Sequence, residues 1–202
     1  MCGRFVIADD KEIAEIKAIL AEINKKYNGT GVSAKTGEIF PTDNVPVLAL
    51  SGVKPELSLM KWGFPRYGSK SVIINARAET AGEKGMFSKH LKERRCVIPS
   101  TGFFEWRHNG GKATKDKFQF NTPDGPMLYM AGVFSTAADT GPGNPRERFV
   151  IVTRAANNSI SDIHDRMPVI LYKNELTRWL RDEKFIPYAF GRDDVRLEKS
   201  AV

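Results

Sequence analysis

The chain reads as an α+β domain, with a curled, largely antiparallel, barrel-like β-sheet core and a few peripheral helices. Three observations point there. Ten short segments rich in β-branched and aromatic residues are punctuated by Gly, Pro and Asn. One stretch near the N-terminus carries a clear helical period. No internal repeat and no Pro/Gly/Ser-rich linker divides the 202 residues, a length that suits one domain whose core needs no disulfide or metal staple.

The elements follow in order. Gly3–Ile7 is the first expected strand. Asp9 and Glu12 can form a capping-box-like start for a helix. Ile13, Ile16, Leu20, Ile23 and Tyr27 then recur at helical spacing, and Asn28-Gly29 supplies the stop. Lys11, Glu15, Lys17 and Glu22 lie off that stripe and predict a solvated outer face. Further strands are expected at Val45–Leu50, Leu57–Lys61, Val72–Asn75, Cys96–Pro99 and Phe103–Arg107, then at Lys117–Phe120, Met127–Phe134, Phe149–Thr153 and Pro168–Leu171. Asn109-Gly110-Gly111 reads as a hairpin turn, and Ala138–Arg146 as a surface loop. Shorter helices are expected at Ser88–Arg94 and Asn174–Asp182. The domain is expected to span residues 1–190, with the charged stretch 191–202 a frayed tail.

Composition narrows the function classes. No apolar run approaches the ~20 residues of a membrane span, and the N-terminus lacks the pattern of a signal peptide. A cytoplasmic or nucleoid-associated protein, of bacterial type, is expected. Two cysteines, Cys2 and Cys96, are too few for a disulfide scaffold. The cysteines and histidines show no zinc-ligand spacing, and no Walker or dinucleotide glycine motif occurs; no cofactor or metal is expected. The net charge of +7 is uneven: residues 61–120 hold thirteen Lys+Arg against five Asp+Glu, and the rest of the chain is nearly balanced. Aromatics interleave with this basic stretch, a mixture that suits phosphate contacts and base stacking, or else a solvated basic face above core aromatics.

Four residues stand out chemically. Cys2 follows Met1 directly. A small second residue permits removal of the initiator, which would leave a free α-amine two carbons from a thiol. Such a 1,2-aminothiol condenses with an aldehyde: the amine forms an imine and the sulfur closes a five-membered thiazolidine. Reference pKa values of roughly 7.7–8.0 and 8.5 mean that modest tuning makes both groups nucleophilic near neutrality. Asn75 ends an apolar strand that runs into Ala76-Arg77-Ala78-Glu79-Thr80. Glu105 sits among large apolar neighbours in Phe103-Phe104-Glu105-Trp106, which would raise a carboxyl pKa and suit general acid–base work. His164 lies in a polar turn before a strand.

Together these motifs resemble the SOS response-associated peptidase (SRAP) family. The matching pieces are Met1-Cys2-Gly3-Arg4, Pro41, Trp62-Gly63, Asn75 through Thr80, Arg95-Cys96-Val97-Ile98-Pro99, Gly102 through Trp106, and His164-Asp165-Arg166-Met167-Pro168. They occur in family order from residue 1 to about 172. The chain departs at Phe64, where relatives often carry an aliphatic residue, and Phe64-Pro65-Arg66 lacks their longer apolar wedge.

The resemblance implies capture of abasic sites in single-stranded DNA through a thiazolidine DNA–protein crosslink at Cys2. It implies that Asn75 orients the sugar and amine, Glu105 shuttles protons, and His164 assists sugar ring opening. Arg4 and Arg77 become the best phosphate donors, with Thr153 and the backbone around Pro41 weaker ones. Trp62 and Phe64 either stack on a base or wedge at a single-strand/double-strand junction, or pack in the core. Arg95 and Arg166 could equally be buried ion-pair partners. The partner expected is single-stranded DNA, bound by a monomer with no membrane contact. Two other readings remain open. One is a thiol (auto)peptidase using Cys2, His164 and Asn75; the other is a non-covalent single-stranded or modified-DNA binding module.

Overall fold

Side-chain alternation decides which strands are buried on one face and which on two, and it builds the core in two layers. The computed structural model describes residues 2–8, 13–83, 85–107, 116–136 and 147–202. The expected capping residues Asp9 and Glu12, the Asn109-Gly110-Gly111 turn and the 138–146 loop fall outside the described residues.

The chain begins with strand β1 (Arg4–Ile7) and helix α1 (Ala14–Lys26). Strands β2 (Gly37–Ile39), β3 (Asn44–Ser51), β4 (Lys54–Trp62), β5 (Phe64–Pro65), β6 (Val72–Ile73) and β7 (Asn75–Arg77) follow. Helices α2 (Ala78–Ala81) and α3 (Gly85–Glu93) lead to β8 (Arg95–Ser100), β9 (Gly102–Arg107), β10 (Asp116–Asn121), β11 (Leu128–Thr136) and β12 (Glu147–Ala155). The C-terminal part holds β13 (Arg166–Pro168), β14 (Ile170–Leu171), a 3-10 turn (Lys173–Glu175), α4 (Leu176–Arg181), α5 (Phe185–Gly191) and β15 (Glu198–Ala201).

One sheet has the order β15-β10-β9-β1-β2 and is antiparallel throughout. β5 and β6 pair as a small two-stranded sheet. In the largest sheet, β12 pairs with β4, β4 with β3, β3 with β8, β8 with β11, and β11 again with β12. The pairings close a ring. This is the α+β fold with a curled, largely antiparallel core that the sequence predicts; among the described residues, β12 alone makes parallel pairs, with β4 and with β7.

Ring strands β8, β11 and β12 are buried on both faces along most of their length. Phe149 and Ile151 of β12 join Cys96, Ile98, Met130, Phe5 and Phe103 in the inner core. Their neighbours Val150 and Val152 pack with Val97, Val133, Trp179 and Phe185 beneath the C-terminal helices. Double burial explains why these strands read as unbroken apolar runs in the sequence. Gly132 lets three strands approach closely: a Cβ there would lie 2.5 Å from Ile98 Cδ1 and 2.9 Å from the Val150 carbonyl. Ile16, Ile19 and Ile23 bury the apolar face of α1. Glu15 departs from the solvated outer face expected of it, binding the Tyr129 hydroxyl and Lys173.

The expected frayed tail is a correction. Residues 198–201 form β15 on the edge of β10; Arg192, Val195 and Leu197 are buried. Among the described residues, no helix is long and apolar enough to cross a membrane.

Candidate active site

Four separate elements bring the chemistry-bearing residues together. Cys2 precedes β1, Asn75 opens β7, Glu105 lies on β9, and His164 is the penultimate residue of the 156–165 loop between β12 and β13. β1 pairs directly with β9, Arg4 opposite Phe104 and Phe5 opposite Phe103. Alternation turns Phe103 and Glu105 to the inner face and Phe104 and Trp106 to the outer one. Cys2 is fully buried, and its thiol sits 3.7 Å from the Arg4 carbonyl. The Asn75 side-chain amide donates to the Cys2 carbonyl at 3.0 Å, tying the chain start to the ring. Among the described residues, Asn75 Oδ1 is buried with no hydrogen-bond partner, an acceptor open to an incoming donor.

Glu105 is 2 % exposed. Burial, reinforced by the charge of Asp165, pushes its carboxyl up to about 7. His164 Nε2 lies 3.8 Å from Glu105 Oε2. The Arg166 backbone amide donates to His164 Nδ1 at 2.9 Å, which selects the neutral tautomer with its proton on Nε2, the nitrogen nearer Glu105. Asp165 Oδ1 stands 2.9 Å from the same Nδ1.

The thiol corrects the expectation of a sulfur tuned toward neutrality. Burial first, then the Glu105 charge, pushes the Cys2 thiol well above its ordinary value. A reaction at this sulfur therefore needs a base beside it, and Glu105 is a neighbour whose charge it feels.

The surrounding shell is held from within. Arg166 binds Glu79 through two contacts, at 2.6 and 2.9 Å, and also the Thr153 carbonyl at 2.8 Å. The pair holds the Glu79 carboxyl down to about 2 and ties β13, just after His164, to the helix that follows Asn75 and Arg77. Nothing in the sequence pairs residues 87 positions apart. Arg95 is buried and caps helix ends, donating to the carbonyls of Leu91, Lys92 and Leu180.

Several expected DNA contacts are set aside by their placement. Trp62 is fully buried against Phe5 and Phe149, and its indole N–H donates to the Ile74 carbonyl at 3.1 Å. It therefore packs in the core and steadies the residue before Asn75, rather than stacking on a base. Phe64 is buried beside Phe87 and His90. Gly63, between them, has φ +108°, and a Cβ there would come within 2.7 Å of Val72. Thr153 is fully buried inside β12 and presents no surface to a phosphate.

The backbone around Pro41 has already used its donors: Phe40 N–H binds Asp43, Thr42 N–H binds the Trp62 carbonyl, and Asp43 N–H binds the Phe40 carbonyl. Thr42 closes that turn at φ 79°, a left-handed conformation costing roughly 1–3 kcal/mol in a non-glycine residue.

Two of the expected phosphate donors do reach solvent. Arg77 is exposed on β7. Arg4 pairs with Glu38 at 3.1 Å and lies over the rings of Phe40 and Trp106, at 4.6 and 4.9 Å. The basic middle stretch is not one track, however. Arg95 is buried, Lys117 pairs with Glu38 and Arg107 with Asp162, while Arg66, Lys70, Arg77 and Lys89 stand exposed. A separate hollow of about 610 Å³, lined by Glu15, Met127, Tyr129 and Lys173 among others, contains none of the four central residues.

Fold and site together define a class: a curled-sheet protein whose buried Cys2 thiol feels the charge of a carboxyl that burial pushes up to about 7. The chain matches the family described as SOS response associated peptidase (SRAP) over residues 1–189, and it belongs to that family. It is 32% identical over 193 residues to the abasic site processing protein YoqW of Bacillus subtilis, covering 93% of this chain and 83% of that one. It is 33% identical over 185 residues to the abasic site processing protein YedK of Escherichia coli, covering 91% and 81%. A crystal structure of a protein from Bacteroides thetaiotaomicron shares the fold, with a TM-score of 0.76 at 24% identity over 100% of this chain and 92% of that one.

Proposed function

We propose that this protein captures abasic sites in single-stranded DNA, forming a thiazolidine crosslink through the α-amine and thiol of Cys2 once Met1 is removed. The observation that carries the reading is a buried Cys2 beside a carboxyl raised to about 7 and tied by its carbonyl to Asn75. The names of the YoqW and YedK relatives supply the substrate class.

The ring-opened abasic sugar presents a C1′ aldehyde. The α-amine adds to it and gives a carbinolamine. Glu105, whose carboxyl burial pushes up to about 7, donates a proton to the departing hydroxyl. Water leaves and an imine forms. The Cys2 thiol then adds to the carbon of this protonated imine while the Glu105 carboxylate takes the sulfur's proton and the C=N electron pair returns to nitrogen. The net change is loss of a single water. His164 assists at the ring oxygen of the sugar through its Nε2 proton. The free Asn75 Oδ1 accepts a hydrogen bond from the amine or a sugar hydroxyl. Arg77 and Arg4 bind flanking phosphates, so the non-covalent encounter weakens with salt and carries little base preference.

The thiol peptidase reading gains less support. Such a site needs a lowered thiol pKa, an imidazole that takes the thiol proton and an amide that orients the imidazole. Here the thiol is raised and the Asn75 amide serves the Cys2 carbonyl. Incubation with a uracil-glycosylase-treated single-stranded oligonucleotide tests the proposal on a denaturing gel. A shifted, denaturation-resistant band is expected with the treated strand and not with the untreated one; no band with either overturns it.

A further inference from the structure

The Glu105–His164 pair spans the two larger sheets. Glu105 belongs to β9 of the five-stranded sheet, and His164 to the loop that leaves β12 of the ring. Their 3.8 Å separation is beyond a hydrogen bond, so a small displacement of the loop decides whether the two groups exchange a proton. The 156–165 loop contains no helix or strand to hold it. Its internal turns hang on two residues: Ile160, whose carbonyl accepts from Ile163 and His164, and Asn157, whose Oδ1 accepts from the Ser159 amide and hydroxyl.

We propose that residues 193–201 act as a strap that positions His164 against Glu105, with Asn157, Asp162 and Lys199 as its fastening points. The inference rests on the reading of Glu105 and His164 as the proton-transfer pair. The strap crosses the loop and ends in the sheet that carries Glu105. Asn157 Nδ2 donates to the Val195 carbonyl at 2.6 Å, the same amide whose oxygen organises the loop's first turn. Val195 and Leu197 share a buried cluster with Ile160 and Ile163. Lys199 Nζ then meets Asp162 Oδ2 at 2.5 Å, two residues before His164.

From there β15 pairs along β10, with Ala201 opposite Phe118, and Phe118 in turn lies opposite Glu105 on β9. Asp162 also receives Arg107 at 3.5 Å, two residues beyond Glu105 on the same strand. One carboxylate thus joins the histidine loop to both the strap and the Glu105 strand. Upstream, the strap is fixed by Arg192, whose buried guanidinium holds Glu175 and Asp194, and by Arg154 on Asp193. Residues that read in the sequence as a loose tail therefore brace the two sheets at the point where the reaction needs them in register.

The test uses Lys199→Gln and Asp162→Asn in the full chain, with Lys199→Arg as the conservative control. These side chains are partly exposed, so folding should survive each change. Single-turnover crosslinking to abasic single-stranded DNA is followed against DNA concentration, alongside hydrogen exchange of residues 157–165. Lys199→Gln and Asp162→Asn should each lower the saturating rate about fivefold and leave the half-saturating DNA concentration within about twofold. Exchange within the loop should accelerate, and Lys199→Arg should restore both rate and protection. Saturating rates unchanged in both variants, or a loss that Lys199→Arg does not restore, overturns the proposal. If the wild-type protein forms no adduct, the functional reading has failed separately. Loop exchange then decides the strap: faster exchange in Lys199→Gln supports it, and unchanged exchange overturns it.

Discussion

Replacing Glu105 with Gln should move activity and stability in opposite directions. The carboxyl is raised from 4.5 to about 7, chiefly by burial. Between those values the folded protein holds a proton that the unfolded chain has released. The native site's preference for the protonated form therefore contributes fully below about pH 4.5 and is lost as the pH rises through about 7. At ~1.4 kcal/mol per unit, the whole swing is about 3 kcal/mol. Gln keeps the shape and cannot ionise, so Glu105→Gln should match wild type near pH 4.5. It should be more stable by about 2–3 kcal/mol at pH 8, or roughly 4–12 °C in melting temperature for a domain of this size.

Crosslinking should suffer, because the variant can neither protonate the departing hydroxyl nor accept the thiol proton. A loss of about 100-fold is the lower end of what general acid–base catalysis supplies. Thermal melts at pH 4.5 and 8, with single-turnover crosslinking at pH 7, read both effects. A variant that crosslinks at the wild-type rate, or is no more stable than wild type at pH 8, refutes the reasoning.

Other substitutions separate the remaining roles. Cys2→Ala should abolish the denaturation-resistant adduct, while Cys2→Ser should still form an imine that borohydride traps; an unchanged adduct yield in Cys2→Ala contradicts the assignment. Arg77→Ala should weaken single-stranded DNA binding and flatten its log–log salt dependence by about 0.7, the increment for one phosphate contact. Trp62→Phe should leave that slope unchanged while costing about 1–3 kcal/mol through lost packing and an unpartnered Ile74 carbonyl, measured by denaturant titration. Glu79, depressed from 4.5 to about 2 by Arg166, contributes above about pH 4.5 and loses that contribution as the pH falls through about 2. Because the Glu79 side chain is half exposed, Glu79→Gln should cost under about 1 kcal/mol at pH 6, and the difference should vanish by pH 2 in acid titration.

Ring strands β8, β11 and β12 were legible in the sequence because burial on both faces leaves an unbroken apolar run, as in Val150–Val152. Strand β15 was not, since Glu198-Lys199-Ser200-Ala201 is exposed throughout and held by its backbone ladder to β10. Helix α5 was masked by Pro187, which its first turn accommodates without losing a hydrogen bond. At the site, the residue types pointed to Cys2, Asn75, Glu105 and His164, and Glu105's apolar neighbours announced its raised pKa. Partners distant in sequence could not be read, as with Arg166 on Glu79 or Lys199 on Asp162. Trp62 shows a further limit: an aromatic beside a basic run looks the same whether it faces DNA or the core, and only its place inside the ring decides.

The central claim is that the amine and thiol of Cys2 both bond to one sugar carbon. Mass spectrometry of the protease-digested adduct tests it most directly. The account predicts a modified peptide that begins at Cys2, lacks Met1 and carries the abasic deoxyribose with loss of one water, its thiol no longer open to alkylation. An adduct on a lysine, or on a Cys2 whose thiol still alkylates, would contradict it.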